Sequence, residues 1–242
     1  LPIEDPVSVG KALIRPMILA PPGYKLIVSD YSSIENRVLA WLAGDEATLQ
    51  AFRDGFDQYT DMASHLYHIP LEQVTKEQRQ FGKVIILGCG YMMGADRLRE
   101  VAADWGIILS YEEAKYAAEA YREKYWLIKR LWTRLKNAAI EAIMTGKRTS
   151  YLQTTFGTAT VKGRRWLAMR LPSGKSVYYA KPVVENLYIP GYEHMGKVPT
   201  ITHLGINPYS KKWSQLKVTP GRLTENDTQA TAREAMAYGM LN

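Results

Sequence analysis

The sequence has 242 residues, of which 46% are hydrophobic and 23% charged, with a formal net charge of +7. A chain of this length and composition can bury one large core or two smaller ones, and its basic excess favours a polyanion partner such as nucleic acid without requiring one. The single cysteine, Cys89, excludes an intramolecular disulfide and favours a reducing compartment, and no apolar run approaches the roughly 20 residues that span a bilayer.

The first predicted element is a mostly buried strand from Lys25 to Tyr31, which follows a Pro-Pro-Gly turn. Near its end lies Asp30, a lone carboxylate in an otherwise apolar stretch. Such a carboxylate can cap the following turn. It can also hold a hard divalent cation such as Mg²⁺, which proteins bind through one or two carboxylates together with substrate phosphates. Both roles are open at this point.

A mostly helical region is predicted from Ser33 to about Gly146, and it ends in one long helical stretch that starts at Tyr111. The first helix of this region is amphipathic. The residues from Ser32 to Glu35 fit a capping box, in which the glutamate side chain bonds back to a backbone amide at the helix start. Glu35 therefore has a possible structural role that must be weighed against any role in binding.

The segment KEQRQFGKVIILGCGY places Arg79, Lys83, Leu87 and Tyr91 four residues apart, so they should lie along one helix face. Two cations one turn apart suit a polyphosphate, and an aromatic ring two turns later could stack against a base. The same spacing also fits a solvated cationic face with the tyrosine packed in a core. The pattern predicts a phosphate-binding helix or a plain surface helix in about equal measure.

Two glycines, Gly88 and Gly90, interrupt this helix, where each costs about 1 kcal/mol relative to alanine. We expect them to leave room for a bulky ligand or to let the helix bend. The surrounding GCGYMMG is not a dinucleotide fingerprint, because it ends a helix instead of opening one.

After Gly146 the sequence becomes rich in β-branched and aromatic residues, with a hairpin turn at Pro172–Gly174. A polar, lysine-rich connection then leads to a final helix from Glu225 to Leu241. The run from Lys147 to Arg165 mixes cations with aromatics and could follow a template strand or form a basic surface hairpin. The order of one strand, many helices, hairpins and a last helix predicts an α+β fold with a helical lobe.

Two segments resemble the conserved motifs of one enzyme family. DYSSIENRVLAWLAG, from Asp30, resembles motif A of the family A DNA polymerases, and RQFGKVIILGCGY, from Arg79, resembles their motif B. The two occur in the family's order and at a compatible separation, and QATAREAM from Gln229 is similar to the palm helix that follows. The residues at which these motifs diverge from the usual family pattern are similar to those of phage-type members.

The resemblance implies a right-hand polymerase fold, with a partial palm sheet and a mostly helical fingers lobe. It implies a palm portion with motif A at residues 1–45, helical fingers with motif B at 46–146, and a β-hairpin region with a return helix at 147–242. The implied activity is template-directed DNA synthesis, in which a dNTP is added to a primer 3′-hydroxyl by two-metal catalysis.

The resemblance also implies roles for single residues. Asp30 would be a ligand of both catalytic Mg²⁺ ions, and the backbone of Tyr31 would complete that shell. Glu35 would lie against the sugar of the incoming dNTP, where a ribose 2′-hydroxyl would clash.

Further along, Arg79 and Lys83 would contact the triphosphate, with Lys83 also counted as catalytic. Tyr91 would lie beside the nascent base pair, and Gln229 would touch the minor groove of the primer-template. Tyr59 occupies the position of a phosphate-contacting histidine in many members. The sequence departs from the usual family residue at Ser33, Asn36, Leu87, Met92 and Glu225.

The third motif of the family, a His-Asp-Glu, should follow the Gln229 helix, whereas this sequence stops at Asn242. We therefore expect a partial polymerase domain without the second metal-binding aspartate, inactive without the remainder of the polymerase chain. Its expected partners are primer-template DNA and dNTPs, with no membrane, in the cytoplasm of a bacterial or phage-infected cell. The alternatives are a noncatalytic DNA-binding remnant and a single-subunit RNA polymerase, against which Glu35 argues.

Overall fold

A computed structural model describes residues 6–188 and 196–241 of the chain. The backbone packs as two units, the first ending at Ser32 and the second beginning at Ser33. The first unit contains helix α1 (Pro6–Ile14) and a 3₁₀ turn (Arg15–Met17), followed by residues 18–31 without helix or strand.

The predicted strand Lys25–Tyr31 is therefore wrong. Ile27 is 94% exposed and Val28 is 91% exposed, so side chains that the strand should have buried are open to solvent. A strand is stable only when neighbouring strands satisfy its backbone groups and another layer covers its apolar face. Asp30 is exposed within this irregular segment.

The second unit opens with seven helices, as the sequence predicts for the region up to Gly146. Their bounds are α2 (Ile34–Ala43), α3 (Glu46–Arg53), α4 (Gln58–Tyr67), α5 (Lys76–Cys89), α6 (Ala95–Asp104), α7 (Tyr111–Lys124) and α8 (Trp126–Thr145), with a 3₁₀ turn at Leu71–Gln73. Capping boxes at Thr75 and Ser110 begin α5 and α7. These side chains satisfy amide groups that the first turn of a helix leaves without partners.

The long helical stretch after Tyr111 is two helices, because Tyr125 breaks it. The backbone of Tyr125 has φ −102° and ψ 48°, outside the helical region. Its ring is 2% exposed, lies 4.8 Å from the ring of Tyr121, and points its hydroxyl at the Gln58 side chain. The burial of the Tyr125 ring holds the backbone in this non-helical conformation. Sequence periodicity could not predict the break, because it depends on a tertiary contact.

The strands form one antiparallel sheet in the order of the sequence. They are β1 (Thr149–Tyr151), β2 (Thr154–Val161), β3 (Arg164–Arg170), β4 (Ser176–Leu187), β5 (Val198–Ile206) and β6 (Trp213–Val218). The turn at Pro172–Gly174 joins β3 to β4 as predicted, and Gly174 has φ +86°, which glycine adopts without strain. Strands β5 and β6 lie in the stretch predicted as a polar connection, so that prediction is wrong.

Helix α9 (Pro220–Leu241) begins five residues before the predicted helix start. Thr219 accepts a hydrogen bond from the Arg222 amide at 3.1 Å, and Pro220 suits the first helical position. Helix α8 packs on the inner face of the sheet, and α9 contacts both α8 and β4. The inner face is apolar and buried, with Phe156, Leu167, Met169, Tyr179 and Ile201. The α+β class is confirmed.

In the part of the chain that the structure describes, every helix is too short or too polar to cross a membrane.

Candidate functional site

Helices α4 and α5 lie in close contact at Gly82. A β-carbon placed on Gly82 would lie only 2.2 Å from the carbonyl oxygen of Tyr59, so no other residue fits without moving the backbone. This contact brings the ring of Tyr59 beside the cations of α5. The glycine therefore positions two elements that sequence spacing alone cannot relate.

Arg79 is exposed on α5 and held by two contacts. Its Nε donates a 2.5 Å hydrogen bond to Asp57, and its guanidinium lies 5.3 Å from the centre of the Tyr59 ring. Asp57 also caps α4 and accepts a 2.7 Å bond from the Thr60 hydroxyl. Partial burial alone would raise the pKa of Asp57, but the hydrogen bonds from Thr60, Arg79 and the Tyr59 amide outweigh it and lower that pKa.

Lys83, one turn further, lies between two aromatic rings. Its ammonium is 5.8 Å from the ring centre of Tyr59 and 5.2 Å from that of Trp105. Among the described residues it has no carboxylate within salt-bridge distance. Trp105 was missed by the sequence reasoning, although an exposed tryptophan in the turn after α6 is a usable signal. The charge of Lys83 is thus held by ring faces and stays available to an anion.

Tyr91 does not continue the helix face of the two cations, because α5 ends at Cys89. It lies in the following turn, where Met92 has φ +69°. The Tyr91 hydroxyl donates a 2.9 Å hydrogen bond to Glu35. The prediction of a single helix face is therefore wrong for Tyr91. Leu87 is 47% exposed and does lie on the open side of α5.

The surroundings of Tyr91 keep its phenol protonated. Burial is the main cause of its raised pKa, and the charges of Glu35 and Glu225 raise it further. The start of α9 presses on the same turn, since a β-carbon on Gly221 would lie 2.1 Å from the carbonyl oxygen of Tyr91. The Trp132 indole donates to the carbonyl of Gly90 at 2.9 Å. Tyr91 is a fixed hydrogen-bond donor at all physiological pH values.

The space beside Gly88 and Gly90 is filled by side chains of the same protein. A β-carbon on Gly88 would lie 2.8 Å from the sulfur of Met93, and one on Gly90 would lie 3.0 Å from a methyl of Leu39. The expectation that Gly88 and Gly90 make space for a ligand is wrong. They allow close packing within the helical lobe.

The helix start at Glu35 differs from the predicted capping box of α2. That box places Ser32 at the N-cap, whereas the N-cap of α2 is Ser33, with φ +53° and no capping bond from its side chain. Glu35 is half-buried in the first turn of α2 and accepts the hydrogen bond from Tyr91. Its described role is to join the start of α2 to the turn after α5.

The predicted site residues thus fall into groups. Tyr59, Arg79 and Lys83 lie together, and Glu35 lies with Tyr91. Gln229 is exposed on α9. The remaining two, Asp30 and Tyr31, belong to the first unit and are both exposed.

Metal ligation was predicted for Asp30 and the backbone of Tyr31. Over residues 6–188 and 196–241, no three His, Cys, Asp or Glu side chains cluster as a metal cage. A carboxylate and a carbonyl are nevertheless the oxygen donors that Mg²⁺ prefers, and the Asp30 side chain is accessible. The donor chemistry therefore fits magnesium bound jointly with substrate phosphates.

Comparison with known proteins gives a family. The sequence profile of DNA polymerase family A matches residues 2–165. A DNA polymerase of Bacillus phage SP02 is 33% identical over 231 residues, which are 95% of this chain and 34% of that protein. The thermostable DNA polymerase I of Thermus aquaticus is 34% identical over 157 residues, or 65% of this chain and 17% of that protein.

A solved structure is also similar, the POL domain of Pol1 from M. smegmatis in complex with DNA primer-template and dNTP. It is 32% identical, with a TM-score of 0.37, over 56% of this chain and 21% of that one. The chain thus spans about a third or less of the length of these relatives.

Proposed function

The chain belongs to DNA polymerase family A, and on that premise we propose that it supplies the dNTP-binding part of a template-directed DNA polymerase. The reaction is attack of a primer 3′-hydroxyl on the α-phosphate of a dNTP, with release of pyrophosphate. The observation that carries the proposal is the cationic pair of Arg79 and Lys83, one turn apart on the open side of α5, with Tyr59 beside both.

The two cations suit a triphosphate in different ways. Arg79 can exchange Asp57 for a phosphate and bind it through two parallel N–H groups. Lys83 pairs with no carboxylate in the part of the chain that the structure describes, and it would act as a point charge on a neighbouring phosphate. Together they would neutralise the negative charge that develops on the departing pyrophosphate.

Glu35 and Tyr91 would meet the other end of the same nucleotide. The hydrogen bond between them holds the glutamate side chain in one place, and a fixed side chain can exclude a hydroxyl that a mobile one would admit. We assign Glu35 to the sugar and Tyr91 to the base pair. These assignments rest on the family membership together with the observed bond.

Magnesium binding is assigned to the Asp30 carboxylate and the Tyr31 carbonyl. When bound, two Mg²⁺ ions would supply activation of the attacking oxygen and stabilisation of the leaving one. The chain's own part is to present hard oxygen donors on an exposed segment. Of the described residues, we assign only these two to the metal.

The remaining proposed partner is primer-template DNA. The net charge of +7 would attract its negatively charged phosphate backbone. Gln229, exposed on α9, would contact its minor groove. We propose residues 1–45 as palm, 46–146 as fingers, and 147–242 as a sheet region with a helix that returns to the palm.

Equilibrium binding of dATP to the chain, with primer-template DNA present, tests the proposal. Replacing Lys83 by alanine should weaken dATP binding about tenfold or more, because a charged hydrogen bond to phosphate is lost. Lys129→Ala is the matched control, since Lys129 is an exposed lysine on α8, which contributes neither cation of the pair. Unchanged dATP affinity in Lys83→Ala would contradict the proposal. DNA binding without any dATP affinity would instead indicate a noncatalytic DNA-binding remnant.

A further inference from the structure

The outer face of the sheet, opposite the face that packs on α8, carries an open groove of about 580 Å³ across β2, β3 and β4. Its floor is made of small residues, Ala159 and Ala168. Two aromatic rings stand beside them, because Trp166 pairs with Ala159 and Tyr178 pairs with Ala168 on the same face. Tyr178 is 62% exposed and Trp166 is partly buried, so the groove has one partly covered ring and one accessible ring.

One end of the groove is cationic, with Lys162 and Arg164 in its lining. The sequence from Gly146 to Val184 contains eight lysines and arginines and no aspartate or glutamate. Two of the cations are occupied elsewhere, since Arg165 donates to the Ile143 carbonyl and Lys175 pairs with Glu234.

The two groove cations differ from these. Within the described chain, Lys162 and Arg164 have no acidic partner, and both are exposed. An anion entering the groove would therefore find two positive charges that no carboxylate of residues 6–188 and 196–241 pairs with. This charge imbalance selects a polyanion over a neutral apolar partner.

We propose that this groove binds a single-stranded nucleic acid, whose bases stack on Trp166 and Tyr178 while its phosphates contact Lys162 and Arg164. Aromatic rings interleaved with cations, in a groove whose described lining contains no acid, match the physical requirements of single-strand binding. Stacking needs an exposed base face, which a duplex hides inside its base pairs, so a single strand is preferred. The site lies on β2–β4, whereas the proposed dNTP contacts lie on α4 and α5, and it does not depend on them.

The test is fluorescence anisotropy of a short labelled oligothymidylate titrated with the chain, at several salt concentrations. We expect binding that weakens as salt rises, because counterions are released from the strand. Tyr178→Ala should weaken this binding about tenfold. Arg164→Ala should weaken it and also reduce its salt dependence.

A matched control removes the same two kinds of side chain from another surface. Arg130 lies 4.9 Å from the ring centre of the exposed Trp126 on α8, outside the groove. The double variant Trp126→Ala, Arg130→Ala should bind the oligonucleotide like the wild type. Melting temperatures of all variants confirm that each is folded.

The proposal is overturned if Tyr178→Ala and Arg164→Ala, both folded, bind as tightly as the control variant. It is also overturned if Tyr178→Ala weakens the binding of a hairpin duplex of the same sequence as much as it weakens the binding of the single strand. If the oligonucleotide does not bind and the chain forms a dimer that Tyr178→Ala dissociates, the groove is a contact between copies instead. Lys83→Ala should weaken dATP binding but leave oligonucleotide binding intact. The groove proposal and the dNTP proposal can therefore fail independently of each other.

Discussion

The Tyr91 hydroxyl donates a 2.9 Å hydrogen bond to the Glu35 carboxylate, and this bond joins the turn after α5 to the first turn of α2. Because the phenol is largely buried and its pKa is raised, the donor is never lost by ionisation at physiological pH. The bond therefore contributes both to stability and to the placement of Glu35.

Tyr91→Phe removes this donor and leaves a partly buried carboxylate with one bond fewer. We expect the free energy of unfolding to fall by about 1.5–3 kcal/mol, the range for hydrogen bonds to charged groups. Urea denaturation measures the change. Tyr209→Phe is the control, because Tyr209 is 92% exposed and should show no loss. Equal stabilities of the two variants would mean that the bond is not maintained in solution.

Glu35→Ala should change nucleotide choice in the full-length polymerase. The truncated side chain leaves space for a 2′-hydroxyl, so the ratio of dNTP to rNTP incorporation should fall. Tyr91→Phe keeps the full Glu35 side chain and removes only the hydrogen bond that holds it in place. Its effect on the ratio of dNTP to rNTP incorporation should therefore be smaller. Single-nucleotide incorporation with both substrates measures this. If Glu35→Ala lowers the melting temperature and leaves the ratio unchanged, the role of Glu35 is structural only.

Asp57→Asn should strengthen dATP binding to the chain by about threefold, because a repulsive carboxylate beside Arg79 is removed. Asparagine still caps α4, so the helix start is preserved. Calorimetric titration with dATP measures the effect, with Asp54→Asn, an exposed residue at the end of α3, as the control. Weaker binding in Asp57→Asn would show that Asp57 orients Arg79 for the phosphate.

Asp227 makes stability depend on pH. It is fully buried on α9, and burial raises its pKa from 3.8 to about 6, although the Thr154 hydroxyl donates a 2.5 Å bond to it. Between these two values the folded chain binds a proton that the unfolded chain has released, so this contribution is complete below pH 3.8 and is lost as pH rises through 6.

The loss amounts to about 3 kcal/mol. Asp227→Asn should remove this part of the pH dependence, as measured by denaturation from acid to neutral pH. A wild-type profile that matches the Asn variant would show that the Asp227 pKa is not raised.

Gly82→Ala should destabilise the chain by about 3 kcal/mol, because the new methyl group would overlap the Tyr59 carbonyl and the backbone must move. An exposed helical glycine behaves in the opposite way, since alanine favours the helix. Gly10→Ala in α1, where the added carbon meets no atom within 4 Å, is that control. Thermal denaturation separates the two, and dATP binding should also weaken in Gly82→Ala as Tyr59 is displaced.

Local patterns in the sequence predicted much of this fold. The helical region up to Gly146 and the turn at Pro172–Gly174 are where periodicity and turn residues place them. Strands β5 and β6 were missed, although VPTITHLGI and WSQLKV carry β-branched residues, because the intervening lysines dominated the composition. The strand at Lys25–Tyr31 was predicted from its apolar run alone, and a strand also requires neighbours.

In the candidate site, too, local sequence patterns predicted some features, and others depend on tertiary contacts. Spacing of four residues placed Arg79 and Lys83 together on α5, since both lie within one helix. The partners of these cations come from elsewhere in the chain, with Asp57 and Tyr59 from α4 and Trp105 from the turn after α6. No local pattern encodes such tertiary contacts. For the same reason the bond between Glu35 and Tyr91 was not predicted.

The contact between Gly221 and the Tyr91 carbonyl has a mechanical consequence. Since a β-carbon at Gly221 would lie 2.1 Å from that oxygen, the two backbones cannot approach further or slide past each other. A larger side chain at position 221 would therefore push α9 away from the Tyr91 turn. Gln229 lies eight residues along the same helix, about 12 Å from the contact at 1.5 Å per residue. The place of Gln229 on the surface thus depends in part on the space that Gly221 leaves for the Tyr91 carbonyl.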